Sequence, residues 1–344
     1  MRKLSVIFLL LAGMALFVGA MTPEALKSYR NFEKKAEKGD REAQYRLALI
    51  LESGYDTIVP DTARAVRLLL SSADQGFAPS QNYLGYLYQK GQGVKQNLDS
   101  AAYWLRMAAD AGDPKASANL AYLMLNRADD AHNSTTDSIA AAYLKVGAEA
   151  GLPTAITQLA GLYETGRGVE CDTVRAVNLY DEAIRLGWHD AELRLLNFMG
   201  PVWKQMAKEK PSEALQEGAY YYRLGAPTTA VEILSGILPD HPIDPDAVPE
   251  TLLNVYADAF AILGEAYSTG NGAEYDNARG ISCYAVASRL GNPGAQFVLA
   301  ELLDLFPDAA GEIDLNAYEL RRAAAASGIT DATSAAFLIH NPGQ

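Results

Sequence analysis

Three short glycine-rich turns are the first places where this sequence could do chemistry, because glycine-rich loops that open helices can hold phosphate groups. They are Gly91-Gln92-Gly93-Val94, Gly166-Arg167-Gly168-Val169 and Gly270-Asn271-Gly272-Ala273. None has the third glycine of a nucleotide-binding loop, and no strand is predicted before any of them. We therefore interpret them as tight turns in which glycine permits a positive φ.

Two sets of side chains could hold metal ions. The four histidines are His132, His189, His241 and His340, and the acidic set is Asp240, Asp244 and Asp246. The histidines have no partner at metal-ligand spacing, and interleaved prolines break the regular spacing of a calcium loop. The sequence predicts neither a metal site nor a cofactor, and it favours a solvated acidic linker around residues 239–249.

The sequence offers no pair of a nucleophile and a base. It contains no Ser-x-x-Lys, Gly-x-Ser-x-Gly or His-Glu-x-x-His motif. Its two cysteines, Cys171 and Cys283, lie too far apart in a repeat array to meet, so both are predicted to stay unbridged. We expect a protein that is not an enzyme. An envelope-associated hydrolase is the alternative, since catalytic groups can converge from distant positions.

The first residues predict export. Arg2 and Lys3 precede an apolar run over residues 4–17 and the small residues Val18-Gly19-Ala20, which is the pattern of a signal peptide over residues 1–20 with cleavage after Ala20. A single membrane anchor is the alternative, but the run is shorter than the roughly 20 residues that span a bilayer. No later segment is predicted to cross a membrane. The expected location is periplasmic or secreted.

The composition predicts an acidic protein held together by apolar burial. The formal net charge is −13, and 49% of the residues are hydrophobic. A basic face is needed to neutralise phosphates, so nucleic acid is not expected as a partner.

Glycines that end helices set the period of the chain. They are Gly39, Gly76, Gly112, Gly151, Gly187, Gly225, Gly291 and Gly328. Most neighbours in this series are 36 to 39 residues apart, and the interval from Gly225 to Gly291 is the exception. A period of this length predicts an array of helical repeats.

Each period carries the same succession of features. A first helix, helix A, places a leucine beside a small residue, as in Leu84-Gly85 and Leu263-Gly264, so that a neighbouring helix can approach closely. A glycine turn follows, and an acidic residue is predicted to cap the second helix, helix B. These predicted caps are Asp61, Asp99, Asp172 and Asp276.

The succession Leu-Gly-x-x-Tyr-x-x-Gly-x-Gly-Val, then Asp, Ala and Trp, then Ala-Ala-x-x-Gly resembles the Sel1-like repeat, a relative of the tetratricopeptide repeat. It is best kept over residues 77–112. The resemblance implies an all-α, right-handed α-solenoid of about seven helix-turn-helix repeats that works as a binding scaffold.

The expected organisation follows from the period and its breaks. We expect an N-terminal capping helix over residues 21–39, repeats 1–5 over 40–225, an extra helix and a Pro/Asp-rich loop over 226–255, repeats 6–7 over 256–328, and a C-terminal cap over 329–344. The extra helix, near residues 228–238, is expected to have no paired helix.

The resemblance also implies where a partner binds. In related arrays the A helices line a concave groove. The side chains assigned to that groove are Tyr45, Asn82, Tyr86, Gln89, Tyr122, Thr157, Glu164, Glu265, Glu301 and Asp304. We expect a protein or peptide in this groove, with basic groups of the partner facing the acidic C-terminal half.

Overall fold

The computed structural model describes residues 23–54, 58–127, 133–238, 248–306 and 315–340. These residues form helices joined by turns and contain no β-strand. They divide into two compact units. Unit 1 comprises residues 1–155 and 166–170, and unit 2 comprises residues 156–165 and 171–344.

Unit 1 contains a lone first helix and three helix pairs. The helices are α1 Pro23–Glu37, α2 Arg41–Ser53, α3 Thr62–Asp74, α4 Ala78–Lys90, α5 Leu98–Asp110, α6 Pro114–Asn126 and α7 Ser134–Glu149. Within these pairs, α2, α4 and α6 are helices A, and α3, α5 and α7 are helices B.

Unit 2 begins within α8. The helices are α8 Pro153–Thr165, α9 Thr173–Arg185, α10 His189–Glu209, α11 Pro211–Leu224, α12 Pro227–Ser235, α13 Leu253–Thr269, α14 Asn277–Arg289, α15 Pro293–Leu305, α16 Ala317–Ala326 and α17 Ala332–His340. A short 3₁₀ turn, Glu250–Leu252, precedes α13.

The predicted helix signals are mostly confirmed. All eight glycines that define the period have a positive φ. Asp61, Asp172 and Asp276 cap their helices, each accepting a hydrogen bond from a backbone N–H three residues later. The prediction for Asp99 is wrong, because Asn97 caps α5 and Asp99 lies in its first turn.

Close approach of the two helices in a pair depends on the small residue of helix A. A Cβ on Gly85 would lie 2.5 Å from Leu105 Cγ, and one on Gly264 would lie 2.8 Å from Tyr284 Cγ. Leu84, beside the first of these glycines, is completely buried. Burial of such a leucine contributes about 1.5–3 kcal/mol to the stability of the fold.

Glutamine side chains join a helix A to the helix that precedes it. Gln44 Nε2 donates to the carbonyl of Ala36 (3.3 Å), and Gln81 Nε2 donates to that of Ala73 (3.0 Å). In both cases a helix A reaches back to the end of the preceding helix, where backbone carbonyls have no partner within the helix.

The glycine turns dock onto the preceding helix B. A Cβ on Gly93 would overlap the side chain of Thr62, the first residue of α3, and a Cβ on Gly272 would overlap Pro227, the first residue of α12. Gly93 and Gly272 have the positive φ that was predicted for these turns, and the structure shows that they also allow close packing.

The pairing in residues 188–255 differs from the prediction. The helix near residues 228–238 was expected to stand alone, but α12 packs on α11: a Cβ on Gly218 would lie 2.5 Å from Leu234 Cδ2. This is the glycine contact of a regular pair. Together with the docking of Gly272 on Pro227, it makes α11 a helix A and α12 its helix B.

The extra helix of the array is therefore α10. It has 21 residues, continues through Pro201, and reaches α12 through a buried carboxylate. Glu192 Oε1 accepts a hydrogen bond from the Thr229 N–H (2.9 Å), at the N-terminus of α12, where Ala226 supplies no side-chain cap. A carboxylate at a helix N-terminus satisfies an open donor and complements the helix dipole.

The described helices have the fold class predicted from the sequence, an all-α solenoid of paired helices. The helices α1 and α17 occupy the segments expected to cap the array. The predicted signal peptide, and the acidic residues Asp240, Asp244 and Asp246, lie outside the described residues.

Candidate functional site

Two tyrosines mark the exposed side of the A helices in unit 1. Tyr86 on α4 and Tyr122 on α6 are 38% and 46% exposed, although both are large and largely apolar. They stand two residues after the buried leucines Leu84 and Leu120, so they occupy the same position in neighbouring repeats. Both were predicted to face a partner.

An asparagine pair runs beside these tyrosines. Asn119 Nδ2 donates to Asn82 Oδ1 (2.9 Å), joining α6 to α4. Asn82 was predicted and Asn119 was missed, although the 37 residues between them equal one period of the chain. Together the two amides offer both donors and acceptors on one face.

An aromatic cluster packs against Tyr86. Tyr83 stacks on Tyr86 with ring centroids 6.0 Å apart, and Tyr45 meets Tyr83 and Phe77 edge-on at 6.5 and 5.6 Å. Burial raises the pKa of Tyr45, and the Tyr83 hydroxyl donates to Glu52. Tyr45 is thus half-buried and packs inside the cluster, whereas Tyr86 is the member of the cluster that is exposed to solvent.

Gln89 belongs to the turn after α4 more than to a binding face. Its backbone carbonyl accepts a hydrogen bond from Gln96 Nε2 (2.9 Å), which ties the two sides of the glycine turn together. The side chain is half-buried.

The predicted groove residues from α8 are engaged within unit 2. Thr157 is only 3% exposed, so its side chain does not line an open surface. Glu164 accepts a hydrogen bond from the buried Tyr180 hydroxyl (2.8 Å). Burial, reinforced by Glu164, raises the pKa of Tyr180.

The acidic residues further along unit 2 also have partners in the chain. Arg321 on α16 binds both Glu301 (2.8 Å) and Asp304, so its one positive charge partly offsets the two predicted carboxylates. Glu265 is half-buried beside tyrosines, and burial together with its charge raises the pKa of Tyr222 and Tyr284. The acidic C-terminal half of the predicted groove is therefore paired within the chain. The sequence did not reveal this pairing, because Arg321 comes from a different helix.

Sequence patterns did not reveal three buried or partly buried carboxylates, Asp181 on α9, Glu217 on α11 and Asp258 on α13. Tyr220 Oη donates to Asp181 Oδ2 (2.7 Å), and burial raises the pKa of Asp181. Burial and the nearby charge of Asp181 raise the pKa of Glu217. Burial also raises the pKa of Asp258 to about 6, against the opposing effects of Asn292 and Arg223.

Other features expected from the sequence can be placed. Cys171 and Cys283 form no disulfide bond, as predicted. Within the described ranges, no cluster of three or more His, Cys, Asp or Glu side chains is arranged to hold a metal ion. None of the helices in these ranges has both the length and the apolar character needed to span a membrane.

Comparison with known proteins identifies the repeat. The Sel1 repeat model matches residues 41–77, 78–113, 153–188 and 257–292. The chain therefore contains Sel1 repeats, as the motifs predict. This repeat fold is typical of protein-interaction scaffolds. The matched segments correspond to α2–α3, α4–α5, α8–α9 and α13–α14, and they leave α10, α11 and α12 unmatched.

Curated relatives share parts of the chain. An uncharacterized protein of Neisseria meningitidis serogroup B is 29% identical over 175 residues, which cover 51% of this chain and 36% of the relative. A chitin synthase regulator of Saccharomyces cerevisiae is 31% identical over 143 residues, which cover 41% of this chain and 20% of the regulator. The chain thus spans about a third or less of the length of these relatives.

A solved structure shares the fold. It is a protective antigen present in uropathogenic Escherichia coli strains, described as displaying an SLR fold, with 22% sequence identity and a TM-score of 0.51. The match covers 89% of this chain and 65% of the antigen.

Proposed function

We propose that the protein is a scaffold that holds an extended segment of another protein against the A helices of unit 1. The single observation that carries this proposal is the exposure of Tyr86 and Tyr122 at equivalent positions of neighbouring repeats. Tyrosine offers a broad apolar contact with a polar tip, which is why it is enriched in binding surfaces.

The asparagine pair supports a polypeptide as the ligand. An extended main chain presents alternating N–H and C=O groups, and amide side chains can satisfy both kinds. Asn82 and Asn119 therefore add main-chain recognition to the contact area of the two tyrosines.

Charge favours a partner segment without an excess of basic residues. The helices α4 and α6 contain no Asp or Glu, and Lys90 and Lys115 are exposed on them. The basic partner expected from the sequence has less support, since Arg321 pairs with both Glu301 and Asp304. The segment we propose is neutral or acidic.

Peptide selection followed by substitution tests this function. Short random peptides are selected on the folded chain, and their affinity is measured for Tyr86→Ala, Tyr122→Ala and the control Tyr103→Ala. Tyr103 is a 57% exposed tyrosine on helix B of the same unit. Each of the first two changes is expected to weaken binding about tenfold, as for the aromatic centre of an interface.

The control shows whether a loss of peptide affinity is specific to the proposed face or follows the removal of any exposed tyrosine. Tyr103→Ala is expected to leave affinity unchanged. Equal losses from all three substitutions, or no loss from Tyr86→Ala and Tyr122→Ala, would refute the proposed binding face.

We further propose that the protein is exported and acts in the periplasm or outside the cell. The support is the succession of Arg2, Lys3, the apolar run and the small residues ending at Ala20. Cell fractionation with N-terminal sequencing is expected to find a chain that begins at Met21 outside the cytoplasm. A cytoplasmic chain that retains Arg2 would refute export.

A further inference from the structure

The middle of α10 combines two residues that weaken a helix. Gly200 has the conformational freedom that costs about 0.5–1 kcal/mol relative to alanine inside a helix. Pro201 follows within the same helix, where it lacks the N–H for the usual backbone hydrogen bond. Such a local conflict calls for a reason elsewhere in the molecule.

Close packing against a neighbouring helix does not explain why a glycine stands at position 200. A Cβ at this position would meet no atom within 4 Å, in contrast to Gly85 and Gly218, where a Cβ would collide with the paired helix. Gly200 instead faces open space, although little of its own surface is exposed to solvent.

The open space is a cavity of about 310 Å³ between α10 and α12. Its walls include Gly200, Trp203 and Ala207 from α10, and Ile233 and Gly236 from the end of α12. Trp203 and Ile233 are buried, which gives the cavity an apolar floor. The volume lies at the lower end of the roughly 300–1,000 Å³ that is usual for ligand sites.

Among the described helices, α12 is a short helix B. This helix has nine residues, whereas the B helices α5 and α9 have 13. Its shortness leaves the second half of α10 without a full-length neighbour among the described helices. The cavity lies in a part of the chain that the repeat model does not match.

Lysines stand at the rim of the cavity. Lys204 and Lys208 line it and are exposed. Lys204 forms an ion pair with Glu232 (3.2 Å), whereas Lys208 has no ion pair with any described residue. An unpaired cation beside an apolar floor favours a ligand that carries an apolar group next to a negative charge.

We propose that this cavity is a second docking site, which receives a large apolar side chain from an acidic segment of another protein. The apolar side chain lies on Trp203 and Ile233, and a neighbouring carboxylate of the partner meets Lys208. A side chain at position 200 would occupy the place of the ligand. The site shares no residue with the tyrosine face of unit 1.

Trp203 provides a direct readout of occupancy. The chain has three tryptophans, and Trp104 lies in unit 1, so its indole N–H signal is an internal reference. Short peptides are selected from a random library on the whole folded chain and titrated while the indole signals are followed by NMR. Selected peptides with a large apolar residue beside Asp or Glu are expected to shift the Trp203 signal and leave that of Trp104 in place.

Three variants test the assignment of residues. Gly200→Leu fills the open space and is expected to weaken binding more than about tenfold without lowering Tm. Lys208→Glu is expected to weaken it about threefold or more and to slow association. Gln205→Leu, an apolar change at an exposed residue of the same helix that does not line this cavity, is the matched control and is expected to bind as wild type.

The possible outcomes separate this site from the proposed scaffold function. Tyr86→Ala is expected to leave the Trp203 shift unchanged, so either site can fail without the other. Selected peptides that are basic, peptides that bind Gly200→Leu as tightly as wild type, or self-association abolished by Gly200→Leu would each overturn the proposal. The last result would assign the cavity to a second copy of the chain.

Discussion

The pair α4–α5 and the pair α11–α12 use the same contact and differ in what surrounds it. In both, a glycine of helix A meets a leucine of helix B, Leu105 or Leu234. The first pair has two helices of 13 residues, whereas the second ends in a helix of nine residues and is preceded by the long helix α10.

This difference shows how an array of repeats can acquire a cavity without losing its stacking. The glycine contact fixes how the two helices of a pair approach, while the lengths of the helices decide whether the space beside them is filled. Unit 1 exposes Tyr86 and Tyr122 at equivalent positions of its A helices, whereas an open pocket of about 310 Å³ lies between α10 and α12.

The largest expected effect comes from the contact that holds α12 to α10. Glu192→Ala removes the acceptor of the Thr229 N–H and leaves a buried donor without a partner. The free energy of unfolding should fall by about 2–3 kcal/mol. Hydrogen exchange at Thr229 measures this directly, with Glu209→Ala on the same helix as the exposed control. Unchanged exchange in Glu192→Ala would show that α10 does not anchor α12.

A smaller effect concerns pH. Burial raises the pKa of Asp258 to about 6, so the folded state favours the protonated acid. This contribution to stability is fully present below the pKa of the unfolded carboxyl, about 3.9, and is lost as pH rises through about 6. Wild type should lose roughly 1 kcal/mol of unfolding free energy across this window, since partial solvation limits the effect.

Asp258→Asn tests the assignment because the amide cannot ionise. Its unfolding free energy, measured by urea titration at several pH values, should depend less on pH than that of wild type. Some dependence should remain, because the raised pKa values of Asp181 and Glu217 act in the same direction. An undiminished dependence would place the titrating group elsewhere.

Much of the fold was predictable because its signals are local. The eight glycines that set the period stand at helix ends with a positive φ, and a leucine beside a small residue marks a close contact. The same locality explains the error in unit 2. Gly225 has the chemistry of a helix end, but it ends a helix A, α11, where the period suggested the end of a helix B.

The candidate site was less predictable, because exposure depends on partners distant in sequence. Tyr83 and Tyr86 lie on the same helix, yet Tyr83 donates to Glu52 and only Tyr86 is open. Glu301 was assigned to the binding face, but it pairs with Arg321, which lies 20 residues later on another helix. Helical periodicity shows which residues share one face of a helix, but it does not reveal contacts between side chains of different helices.

The central claim is that α11 and α12 form a regular pair while α10 is the added helix that borders a cavity. Urea unfolding of Gly85→Ala, Gly218→Ala and Gly200→Ala tests it in one experiment. The first two should lower the unfolding free energy by about 1–3 kcal/mol through overpacking, and Gly200→Ala should raise it by about 0.5–1 kcal/mol. A Gly218→Ala variant as stable as Gly200→Ala would contradict the claim.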